Sequence, residues 1–165
     1  MSEGEPARVQ IHASCVAISG AGVLLRGQPG AGKSDLALRL VDGGGALVAD
    51  DLCEIRREGD RLIADLPAAV DPAFRGRIEL RGLGFLTLPY AGASPLVLVV
   101  DLEPGLPPRH SHPGGAHPGG SHPEGEALYL GLGLPLIVLD PFQASAAAKL
   151  RLLAKVGAGA IMRAP

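Results

Sequence analysis

Apolar and polar positions alternate most clearly near the start of the chain. Val9, Ile11, Ala13, Cys15 and Ala17 fall on one side of an extended segment over residues 8–18, and a second short apolar run covers 23–25. Ser19-Gly20-Ala21-Gly22 separates them and predicts a hairpin turn. After a glycine-rich stretch, Leu36 with Leu40 and Ala37 with Val41 repeat every fourth residue, which predicts a helix over 34–41. Gly43-Gly44-Gly45 should end it. Leu47-Val48-Ala49 reads as a short buried strand stopped by Asp50-Asp51. Residues 52–57 and 61–65 flank Glu58-Gly59-Asp60, a hairpin signal. An irregular stretch then leads to Arg77-Ile78-Glu79-Leu80-Arg81-Gly82-Leu83-Gly84. The uninterrupted apolar runs 96–100 and 136–139 read as central strands, ending at Asp101 and Asp140. The Ala-rich stretch 142–156, with Lys149, Arg151 and Lys155, predicts the closing helix. The order is that of an α/β domain with one strand–loop–helix unit near its N-terminus.

Composition narrows this picture. With 165 residues, 47% of them hydrophobic, one domain over 1–165 is expected. A net charge of -2 argues against nucleic acid as partner. No apolar run approaches the roughly 20 residues of a membrane-spanning helix, and the acidic start does not resemble a signal peptide. The expected setting is the cytoplasm, where Cys15 and Cys53 would be buried thiols. Residues 104–125 hold six Pro and six Gly in 22 positions, with three near-repeats that begin His-Pro. They read as a flexible surface loop within the domain. Loose metal binding by its histidines is the alternative.

Gly27-Gln28-Pro29-Gly30-Ala31-Gly32-Lys33-Ser34 fits the phosphate-binding pattern G-x-x-x-x-G-K-[ST] at every position. Its glycines let the backbone wrap so that N–H groups converge on phosphate oxygens. The helix that follows adds its N-terminal dipole. Lys33 would face the β- and γ-phosphates, and the Ser34 hydroxyl would ligate Mg²⁺. Nucleoside-triphosphate binding follows, but not the fate of the γ-phosphate.

Such a site also needs a carboxylate at a strand end. Asp50-Asp51, Asp101 and Asp140 are the candidates. Strand length favours Asp101, and any one of them could simply cap a turn. Two adjacent carboxylates repel one another unless a cation or donor lies between them. The pair Asp50-Asp51 therefore suits one metal-oriented and one proton-accepting role.

Four blocks resemble the catalytic domain of bacterial HPr kinase/phosphorylase. They are Ile11-His12 with the following turn into Val23-Leu24-Leu25, the P-loop continued as Ser34-Asp35-Leu36-Ala37-Leu38, Leu47-Val48-Ala49-Asp50-Asp51, and Ile78-Glu79-Leu80-Arg81-Gly82-Leu83-Gly84-Phe85-Leu86. The last is the most specific, since P-loops occur in many families. The resemblance implies a P-loop fold of the HPr kinase/PEP carboxykinase-like type, and an ATP- and Mg²⁺-dependent serine kinase of the phosphotransferase system. Its partners would be an HPr-like phosphocarrier and further copies of the chain. It further implies that Ser34 and Glu79 hold Mg²⁺, that Asp51 exchanges a proton with the substrate seryl hydroxyl, and that His12 sits at the same site. Glu79 and Arg81, two apart, would share one strand face, with Arg81 meeting phosphate charge.

The chain also departs from the pattern. His12 stands so near the start that a short form without the family's N-terminal domain is expected. The family's catalytic arginine has Arg109 as its nearest counterpart. Its P-V-R-P-G-R-N element falls on Leu139-Asp140-Pro141-Phe142-Gln143-Ala144, which has neither arginine. Another P-loop small-molecule kinase and a nucleotide-dependent regulatory module are the alternative readings.

Overall fold

Strands that are apolar on both faces need a layer on each side, and here the sheet has one. The computed structural model describes residues 4–106 and 125–157. In chain order come β1 (Arg8–Ile11), β2 (Ser14–Ile18), β3 (Ala21–Arg26), α1 (Lys33–Asp42), β4 (Ala46–Ala49), β5 (Cys53–Glu58) and β6 (Arg61–Asp65). A 3₁₀ turn (Pro72–Phe74) precedes β7 (Arg77–Leu80), β8 (Gly84–Thr87), β9 (Ser94–Leu102), β10 (Gly125–Tyr129), β11 (Leu132–Leu139) and α2 (Ala146–Val156).

The main sheet runs β1-β5-β6-β9-β3-β2-β4, with β11 parallel to β9 and β10 antiparallel to β11. The P-loop strand β3 is parallel to β9, pairing Arg26 with Asp101. Since β2 is antiparallel to both β3 and β4, strands β4, β3, β9 and β11 all end at one edge. Ligands bind at that edge in open α/β sheets.

Side chains sort by parity. Val16, Val23, Leu25, Leu98, Val100, Ile137 and Leu139 meet Leu36, Leu40 and Leu150 of the two helices. Ala13, Cys15, Ala17, Leu24, Val99 and Leu136 face the opposite way, onto Ile55, Leu62 and Ala64 of β5 and β6. Each fully buried Leu contributes about 1.5–3 kcal/mol. The face predicted for residues 9–17 therefore holds, although the extended segment breaks at His12-Ala13 into β1 and β2. Ser19 and Gly20, at φ 51° and 80°, make the β2–β3 turn. Both cysteines are free and buried, and the Cys53 thiol and burial push the Cys15 thiol well up.

Three expectations change. The closing helix starts at Ala146, not 142, because the Asp140 carboxylate accepts from Phe142 N–H (3.0 Å) and holds the chain in a turn. The central strands are longer, and β11 forms a hairpin with β10 through Leu130-Gly131. Residues 77–87 form a separate two-stranded sheet, β7–β8, so Arg81 falls in its turn rather than on a strand. The predicted Gly/Pro/His-rich loop falls largely on 107–124, outside the described residues, as does Arg109. Among the described residues no helix is long and apolar enough to cross a membrane.

Candidate active site

The P-loop joins β3 to α1. Gly30 and Gly32 take φ 81° and 96°, a region that costs an L side chain strain. The amide of Ala31 closes on the Gln28 carbonyl at 2.9 Å, and that of Leu36 on Gly32 at 3.0 Å, so α1 starts directly from the loop. Lys33 Nζ donates to the carbonyls of Gly27 (2.7 Å) and Gln28 (3.2 Å), which holds its charge at the loop's mouth.

Of the three candidate carboxylates, Asp50 is the one at the P-loop. Its Oδ1 accepts from Ser34 Oγ at 2.9 Å. Asp101 is bound at both oxygens by Arg26, at 2.7 and 2.9 Å, and keeps that guanidinium protonated. Asp140 caps the turn after β11. Strand length thus points to an aspartate engaged by Arg26 rather than to the one bonded to the P-loop serine.

Ser14 was not foreseen. It is fully buried at the head of β2. Its hydroxyl donates to Asp50 Oδ1 (2.8 Å) and accepts from Asp51 N–H (3.3 Å). The pairing of Cys15 with Ala49 brings it there. A lone hydroxyl in an apolar strand was the available signal. Burial raises the Asp50 carboxyl, the hydroxyls of Ser14 and Ser34 draw it back, and the neighbouring Asp51 charge adds to the rise.

Asp51 stands differently. Leu52 N–H donates to the Asp50 carbonyl (2.8 Å), closing a three-residue turn centred on Asp51 at φ 64°. Such turns are rare and strained. Asp51 is exposed there, one residue from Asp50.

A cavity of about 330 Å³ opens beside Asp50, lined by Val48, Leu66, Val70, Phe74, Arg77 and Phe85 among others. Arg77 lies over the rings of Phe85 (4.3 Å) and Phe74 (4.9 Å). Glu79 shares its face of β7 and pairs with Phe85 in register. Buried Ile78 fixes that orientation, and Glu79 itself is exposed. Arg77, not Arg81, is therefore the base on the Glu79 face. Among the described residues no three acidic, His or Cys side chains gather as a metal cluster, so Glu79 does not join Asp50 and Asp51 in one. His12 is exposed between β1 and β2, two residues ahead of Ser14.

The model of the HPr serine kinase C-terminal domain matches residues 6–91. HPr kinase/phosphorylase of an Exiguobacterium species is 43% identical over 100 residues, and that of Geobacillus thermodenitrificans 44% over 101. Both matches take in 56% of this chain and 31% of the relative, so the chain spans about a third of the length of the curated relatives it matches. The solved HPr(Ser) kinase/phosphatase from Coxiella burnetii superposes with a TM-score of 0.69 at 24% identity, covering 89% of this chain and 94% of that one, a likeness of fold. The matched stretch carries the P-loop, the Asp50-Asp51 turn and the β7–β8 hairpin, and on that match the chain belongs to the HPr serine kinase C-terminal domain family.

Proposed function

We propose that the chain is a cytoplasmic, ATP-dependent serine kinase acting on an HPr-like phosphocarrier protein. The observation that carries this is the bond between Ser34 Oγ and Asp50 Oδ1 (2.9 Å), with Asp51 displayed beside it. A P-loop hydroxyl, a half-buried carboxylate and an exposed carboxylate together supply the parts of phosphoryl transfer. The names of the relatives support the acceptor.

In this reading Lys33 Nζ exchanges the Gly27 and Gln28 carbonyls for β- and γ-phosphate oxygens. The seryl oxygen attacks the γ-phosphorus, the bond to the β–γ bridging oxygen breaks, and ADP leaves with that oxygen. The hydroxyl proton passes to Asp51, which its strained turn holds towards solvent. The Asp50 carboxylate and Ser34 hydroxyl are hard oxygen donors and fit Mg²⁺, which would neutralise phosphate charge. The exposed Glu79 would act from the β7 face, and His12 from the β1–β2 bend. The cavity at Arg77 would receive the acceptor's seryl loop.

The test is transfer of label from γ-labelled ATP to a purified HPr-like protein and to its Ser→Ala variant. Labelling of the first but not the second is expected. Nucleotide binding with no transfer would favour a regulatory module instead.

A further inference from the structure

Phe142 is 58% exposed, yet its ring lies against the P-loop. A Cβ placed on Gly32 would come within 3.0 Å of Phe142 Cζ and 3.2 Å of Pro141 Cγ. An aromatic ring left in water forgoes part of its burial energy, and here its neighbours fix where it stands. Both helices hold the turn that carries it. The Arg39 guanidinium of α1 donates to the carbonyls of Pro141 and, at 3.4 Å, Gln143. Arg39 is itself fixed by Asp35 at 3.1 Å. Lys149 Nζ of α2 reaches Gln143 Oε1 at 3.2 Å, and the Asp140 carboxylate holds Phe142 N–H at 3.0 Å.

The position in the sheet says what the ring could meet. Asp50 follows β4, on one side of the P-loop strand, whereas Phe142 follows β11, on the other side. A triphosphate held by the loop with its terminal group at Asp50 and Ser34 would have the β9–β11 side of the sheet left for its nucleoside. We propose that Phe142 is the stacking platform for the base of the nucleotide. The side chain is more than half exposed beside Gly32, and a stack needs nothing more than a flat apolar surface, so purines of either kind would be accepted. The inference rests on nucleotide binding at the P-loop, as argued above, and adds the subsite for the base.

The chain contains no Trp, so Phe142→Trp introduces a single reporter. Its fluorescence should be quenched by ATP and left unchanged by inorganic tripolyphosphate. Phe142→Ala should weaken ATP binding by about 5- to 150-fold, the scale of one base stack, and leave tripolyphosphate affinity unaltered. Phe142→Tyr should restore ATP binding. Unchanged ATP affinity in Phe142→Ala, or equal wild-type affinities for ATP and tripolyphosphate, would overturn the stacking role and leave the P-loop reading intact. A wild-type chain that binds neither would overturn both.

Discussion

Asp50 and Asp51 are neighbours in the chain and opposites in environment. Burial raises the Asp50 carboxyl, and two serine hydroxyls only partly offset this. A carboxyl raised in the folded state contributes most to stability below its ordinary value of 3.8, where it is protonated in both states. That stability is lost as pH rises through the folded value. At neutral pH the charge is therefore a liability in the absence of a cation. Asp50→Asn should raise the thermal midpoint at pH 7 by a few degrees, the scale of about 1 kcal/mol in a domain this size. The gain should vanish near pH 3 and come with loss of Mg²⁺-dependent transfer; scanning calorimetry at both pH values checks it. Asp51→Asn should keep nucleotide affinity and lose transfer by about 100- to 10,000-fold, the usual range for a proton acceptor. Near-normal transfer in that variant would remove Asp51 as the base. The paired carboxylates were legible because two like charges side by side are costly without a purpose. Ser14 was not, because its role depends on a partner 36 residues away that only the β2–β4 pairing supplies.

At the scale of elements, Arg26 closes the end of the P-loop strand. It grips Asp101 with two bonds and Tyr129 Oη with a third at 2.8 Å, tying β3 to β9 and β10. The pair is about one third exposed, so Arg26→Ala should cost only about 1 kcal/mol of stability. Its larger effect should fall on the loop one residue on, as weaker ATP binding in a titration; an unchanged affinity would reduce the cluster to packing. Element types were legible wherever period and punctuation agreed, as for α1 and its three terminal glycines. The β10–β11 hairpin was missed because Leu130 takes φ 51° at its turn, where glycine or asparagine is the usual sign. The start of α2 was misjudged because helix propensity favoured the alanines over the Asp140-Pro141 turn ahead of them.

For the whole molecule, the distribution of arginine bears on the direction of the reaction. Dephosphorylation by inorganic phosphate brings two anions together and needs fixed positive charge facing them. From Pro123 to Lys149 the chain carries no arginine, and Asp140 caps a turn where the resemblance drawn from the sequence would place a basic element. Phosphate-dependent dephosphorylation of a phosphoseryl carrier should therefore be slow beside phosphorylation, as followed by pyrophosphate release at millimolar phosphate. A matching reverse rate would show that another arginine or a second copy of the chain supplies the charge. The sheet order carries a last consequence, for the route by which the site comes into being. On one side of β3 lies the hairpin partner β2, made just before it. On the other lies β9, whose pairing residue for Arg26 is 75 positions later. The stretch 6–91, which carries the family's motifs, stops short of β9. On a ribosome the phosphate loop would be synthesised long before β9, and Arg26 could meet Asp101 only after that strand had emerged.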